Sequence, residues 1–166
     1  MRFIRAARKL VVLGGAMAAM AFLPGLILVS LVDITGRRFF HYSSTPLQEL
    51  GSYFFFACVM FGIGFTYIKD RHVRVDIIRE RLPDRHKARI ERFLLVVLLL
   101  PFCLVLFGFG VRMTWLSFVQ DEGSRAALGL SARWIVKAAL PLGALSLFLA
   151  GTYRLFHPLG NEKDKQ

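Results

Sequence analysis

Residues 93–113 read FLLVVLLLPFCLVLFGFGVRM, an apolar run whose single charge, Arg112, stands at its far end. A helix rises 1.5 Å per residue, so this run is long enough to cross the roughly 30 Å hydrocarbon core of a bilayer. Three further runs of similar character occupy residues 10–32, 50–68 and 135–155. Within lipid every backbone N–H and C=O must be satisfied inside the segment. The runs therefore read as helices even where Phe54-Phe55-Phe56 or Val96-Val97 would favour strand in water. The fold class that follows is an all-α integral membrane protein with four transmembrane helices.

The first run needs separating from a secretory signal, because Arg2, Arg5, Arg8 and Lys9 precede it and Ala16-Met17-Ala18 imitates a cleavage site. Its apolar stretch continues to Val32, which is too long for a signal core and suits a retained span.

With 55% hydrophobic residues in a chain of 166, the composition is too apolar for an ordinary soluble domain. Four spans of about 20 residues leave only about half the chain for loops and ends. Residues 1–159 are accordingly expected to form one four-helix membrane domain, and residues 160–166 a disordered tail. The net charge of +11 does not point to nucleic acid, since the Lys and Arg side chains sit between apolar runs, where membrane lipids with anionic headgroups attract them. Sixteen of them fall at the amino end, between residues 69 and 92, and in the tail, against six on the other side. The positive-inside bias thus predicts that both termini and the middle loop are cytoplasmic (N-in/C-in). Trp115 and Trp134 flank the second external loop as interface anchors.

The middle loop carries its own pattern. Val75, Ile78 and Leu82 fall at i, i+3 and i+7 among Arg74, Arg79, Glu80 and Arg81, which predicts an amphipathic helix on the cytoplasmic surface between helices 2 and 3. Pro83 ends it and Asp84 can cap the next helix, so the third helix is expected to begin before the lipid.

Chemically the informative fact is an absence. No Asp, Glu, Lys, Arg or His lies near the middle of any run, and such groups at membrane depth mark ion paths, proton relays and substrate sites. The histidines (His41, His72, His86, His157) lie in loops or at ends, which excludes paired haem ligation inside the bilayer. Cys58 and Cys103 are isolated thiols without metal-ligand spacing. No catalytic, substrate-binding or metal site and no cofactor is expected. A membrane enzyme subunit would need a cluster of His, Cys or acids at one interface, for which Asp121-Glu122 is a poor candidate; an autonomous small transporter or channel would need polar groups along a path.

Two structural signals remain. Glu49, Arg112 and Lys137 all fall at the outer boundary, with Asp33 ending the first helix, so Glu49 either pairs with Arg112 or Lys137 in a partly dry layer or each snorkels independently. Gly14, Ala18, Ala21 and Gly25 form a small-residue stripe that lets a second helix approach the first. Pro24, Pro101 and Pro141 are expected to bend their spans.

In order along the chain stand Arg38-Phe39-Phe40 after the first span, Gln48-Glu49-Leu50 opening the second, His72-Val73-Arg74-Val75-Asp76 after it, and Leu82-Pro83. Leu128-Gly129-Leu130-Ser131 and Trp134 then precede a fourth span containing Pro141-Leu142-Gly143. Through these motifs the chain resembles, over nearly its full length, the small membrane subunit of tripartite ATP-independent periplasmic (TRAP) transporters, the DctQ-like family. It departs from the family at Leu47 and Gln48, where an aromatic and a second acid are common. The resemblance implies a bacterial inner-membrane subunit that braces a large multi-spanning membrane subunit. It also implies a share in docking a periplasmic substrate-binding protein, for sodium-coupled uptake of an organic acid. By the same resemblance Arg38 becomes a contact candidate; His72, Arg74 and Asp76 are expected either to have a local structural role, with Arg74 and Asp76 holding the turn into the surface helix, or to lie in a solvated cytoplasmic loop.

Overall fold

In the computed structural model the described residues are 2–41, 44–69, 84–124 and 129–156, and every regular element among them is helical. The first span consists of α1 (Arg2–Met17), a wide π turn (Ala18–Phe22) and α2 (Leu23–Phe40). The second is α3 (Thr45–Ile68). The third consists of α4 (Asp84–Leu94), a second π turn (Leu95–Leu99) and α5 (Leu100–Val119), and the fourth is α6 (Trp134–Phe156). All four are long and apolar enough to cross a membrane. The predicted surface helix, His72, Arg74 and Asp76, and the tail at 160–166 lie outside the described residues.

Each π turn ends just before a proline, Pro24 or Pro101. A proline has no N–H to donate and its ring crowds the carbonyl four residues back. Widening the preceding turn, with Leu23 N–H bonded to the Ala18 carbonyl and Leu100 N–H to that of Leu95, makes room for the ring while the helix continues. Pro141 sits inside α6 without such a turn. The first span outruns its apolar stretch by eight residues, continuing from Val32 to Phe40. Polarity alone does not stop a helix; here the stop is His41, whose left-handed backbone (φ 51°) turns its N–H back to the Gly36 carbonyl.

The fourth span is the centre of the bundle and packs most extensively against α5 and α3, while α3 also packs along the first span. The buried face of α6 is made mostly of small residues: Ala139, Gly143, Ala144, Ala150 and Gly151. A Cβ on Gly143 would lie 2.9 Å from the Met60 backbone carbonyl oxygen, and one on Gly64 would lie 2.9 Å from the carbonyl carbon and oxygen of Ser146. The α3 and α6 backbones therefore touch at two levels. Large apolar side chains point outward instead, among them Ile27, Leu28, Leu31, Leu98, Phe102 and Phe109. Small residues inside and large apolar ones outside is the arrangement favoured where lipid, rather than water, is the solvent, because lipid gives no hydrophobic reward for hiding a leucine.

Candidate functional site

The polar side chains gather at the two ends of the bundle. At the end where α2 meets α3 and α5 meets α6, the connection between α5 and α6 folds back on itself. Ser124 N–H bonds the Leu130 carbonyl at 3.0 Å and Arg133 N–H bonds the Glu122 carbonyl at 3.2 Å, so the two arms of the loop are tied together. Asp121 (φ 45°) and Ala132 (φ 62°) take left-handed backbone at its corners.

This folded loop carries the donors for Glu49. The Ser124 hydroxyl donates to Glu49 Oε1, and the Leu130 N–H donates to Oε2 at 2.8 Å. Lys137 bonds Glu122, whose other oxygen lies 3.6 Å from the Arg133 guanidinium. The Lys137 hydrogen bond above all, with help from Arg133, holds the Glu122 carboxyl below the ordinary carboxylate range. The expected alternatives for Glu49 are thus both replaced: it pairs with neither Arg112 nor Lys137, nor does it snorkel alone. Because the loop closes over the bundle end, its own Glu122 reaches Lys137, and its hydroxyl and amide reach Glu49. Arg112 is exposed on α5 and Arg38 exposed at the end of α2. Beneath the loop, Phe118 meets Trp134 edge-on (centroids 5.4 Å apart) and lies 6.2 Å from Trp115, so both tryptophans join one aromatic group.

On the same end, Asp33 does not finish its helix but lies buried within it, bonded to Arg37 one turn on. It lines an open-sided crevice of about 430 Å³ between α2 and α3.

The opposite end holds a residue that the sequence reading passed over. Arg154, only 6% exposed, donates to the Tyr67 carbonyl at 3.0 Å, stands 5.1 Å over the Tyr67 ring and lies 3.6 Å from Glu91. One side chain from the fourth span thereby holds the end of the second and the start of the third. The signal was present in the helical phase: Gly143, Leu147, Ala150 and Arg154 recur at +4, +7 and +11 on the buried face.

The small-residue stripe of the first span is partly displaced. A Cβ on Gly14 would meet the Phe61 carbonyl at 3.4 Å, Ala18 is buried and accepts the Cys58 thiol at 3.6 Å, and Gly25 faces the Phe54 ring at 3.0 Å. Ala21 is exposed. The π turn from Ala18 to Phe22 advances the chain by an extra residue, so Phe22 turns toward α3 and packs against Phe61 with centroids 5.3 Å apart. Gly15, not Ala21, is the additional close approach, and a Cβ there would overlap the Phe65 side chain.

What this architecture defines is a small helical membrane component with structured ends and an apolar, uncharged waist. The sequence matches the family described as tripartite ATP-independent periplasmic transporters, DctQ component, over residues 26–160, and the chain belongs to that family. It is 32% identical over 119 residues to the sialic acid TRAP transporter permease protein SiaT of Haemophilus influenzae (strain 86-028NP), a match covering 70% of this chain and 18% of that protein. The chain therefore spans under a fifth of the length of that relative.

Proposed function

We propose that this chain is the non-catalytic small permease subunit of a TRAP-type uptake system. In this reading it braces a large multi-spanning subunit in the bacterial inner membrane and contributes to docking a periplasmic substrate-binding protein for sodium-coupled import of an organic acid. The observation that carries the reading is the family match over residues 26–160, together with the 32% identity to a stretch of the sialic acid TRAP permease protein. In that relative the matching stretch is part of a far larger permease, so a large membrane component is the partner expected here. The substrate in that relative's name, sialic acid, is an organic acid.

The rest of the chain supports a bracing role. Between Lys9 and Asp33, Glu49 and Lys69, Arg92 and Arg112, and Lys137 and Arg154 the spans contain no Asp, Glu, Lys, Arg or His. They offer no charged group with which to grip an ionic solute at membrane depth. The excess of Lys and Arg at the termini and the middle loop supports a reading with the Arg154 end in the cytoplasm and the folded loop in the periplasm. There Glu49, Ser124, Glu122, Arg133 and Lys137 make a hydrogen-bonded cap suited to meet a soluble partner, with Arg38 and Arg112 as exposed cations beside it. We further propose, from the sequence pattern alone, a cytoplasmic surface helix from Val75 to Leu82, with His72, Arg74 and Asp76 leading into it.

The test is co-expression with a large membrane subunit, which neighbouring reading frames are expected to encode, followed by purification and reconstitution. A stable complex that imports an organic acid only when both membrane chains and the binding protein are present is the expected result. Solute flux or substrate turnover by this chain alone in liposomes would overturn the proposal in favour of an autonomous transporter or membrane enzyme.

A further inference from the structure

The crevice between α2 and α3 has a graded lining. From Leu26 to Arg37 it extends roughly 16 Å along α2 at 1.5 Å per residue. Towards Leu26 it is mostly apolar, with Val29 and Phe55 beside Ser30 and Ser52, and at its mouth, towards Arg37, it carries the charges, with Asp33 and Gln48 beside Ile34 and Leu47. The grading follows the axis of a span, the direction in which a phospholipid passes from acyl chain to headgroup.

The mouth holds one charge of each sign. Arg37, half exposed, bonds Asp33 Oδ2, so cation and anion lie at one depth. The Asp33 side chain is only 9% exposed, and its second oxygen, Oδ1, is buried and accepts no hydrogen bond among the described residues. A buried carboxylate oxygen is stabilised by a donor, best a charged one. We infer that this crevice binds a phospholipid whose headgroup carries a primary ammonium, the ammonium donating to Asp33 Oδ1, the phosphate meeting Arg37 and an acyl chain lying on Leu26, Val29 and Phe55. The inference rests on the chain being embedded in a bilayer, not on its partner or on any transport activity.

The chemistry selects among headgroups. A quaternary ammonium has no N–H to give, so phosphatidylcholine leaves Oδ1 unbonded. A net anionic headgroup matches a site whose two charges cancel less well than a zwitterion does. The large subunit's side chains are the other conceivable donors, and the experiment separates the two.

Native mass spectrometry of the full chain in detergent, titrated with phosphatidylethanolamine, phosphatidylcholine and phosphatidylglycerol of identical acyl chains, reads the preference directly. Wild-type protein is expected to bind phosphatidylethanolamine at least about tenfold more tightly than phosphatidylcholine, as one charge-assisted hydrogen bond implies. Asp33→Asn should erase that preference and, by leaving Arg37 uncompensated, should strengthen phosphatidylglycerol binding. Equal binding of phosphatidylethanolamine and phosphatidylcholine to the wild type, a preference for phosphatidylglycerol, or a preference that survives Asp33→Asn would each overturn the inference. The wild-type comparison needs no variant to fold. The same titration on the purified complex with the large subunit adds a further arm: loss of the headgroup preference there would assign Asp33 to the protein partner and likewise overturn it.

Discussion

Removing the Arg154 side chain should loosen the end of the bundle from which residues 70–83 depart and return. Its hydrogen bond to the Tyr67 carbonyl is 3.0 Å long, and bonds from a charged donor contribute about 1.5–3 kcal/mol. The contact with Glu91 is 3.6 Å and Glu91 is about one third exposed, so solvent limits that pair to under about 1 kcal/mol. The cation over the Tyr67 ring adds about 0.5–1 kcal/mol. These terms share one guanidinium and are not additive, so Arg154→Ala is expected to cost about 3 kcal/mol, including the lost packing of the buried stem. Arg154→Lys keeps the charge but not the planar fork, and should cost roughly half as much. Arg154→Met, which keeps the bulk and needs no buried charge, should fall below the alanine variant in cost. Unfolding the purified chain by titrating sodium dodecyl sulfate into mixed micelles measures each difference, and a double-mutant cycle with Glu91→Gln isolates the ion pair. If Arg154→Ala stays within about 0.5 kcal/mol of wild type, the range of an ordinary surface substitution, the three contacts do not hold this end together and the reasoning fails.

Two glycines should behave oppositely. Gly64→Ala forces a methyl group to within 2.9 Å of the Ser146 backbone and should lower stability by about 1–3 kcal/mol, whereas Gly108→Ala, with nothing within 4 Å, should raise it by up to about 1 kcal/mol; equal effects in the same titration would contradict the close approach of α3 to α6. The loop between α5 and α6 should loosen in acid. Because Lys137 lowers the folded-state pKa of Glu122, the stability this carboxylate contributes is complete above its unfolded pKa and is lost as pH falls through the lower folded one. The protection factor of the Arg133 amide, which bonds the Glu122 carbonyl, should fall on acidification even though intrinsic exchange slows, and Glu122→Gln should remove that fall.

The four spans were legible in the chain because a bilayer leaves the backbone few choices: a long apolar run must be helical, and its length and hydropathy set its existence. The start of the third helix at Asp84 was legible from Pro83 and Asp84 for the same kind of local reason. The middle of the first span was less so. The prolines marked a disturbance, but the π turn that answers it rotates Ala21 out and Phe22 in, and a stripe counted at 3.6 residues per turn cannot anticipate an extra residue.

The chain by itself determined where the charges stand along each helix: at the ends, never at the waist. Only the tertiary structure decided which charges meet. Glu49 is held by Ser124 and Leu130, Lys137 by Glu122, and Arg154 by Tyr67 and Glu91, across separations no local rule spans. The physical reason is that hydropathy acts residue by residue along one axis, whereas a hydrogen bond needs two groups within about 3 Å. That coincidence is fixed by how helices pack and how a loop closes over them.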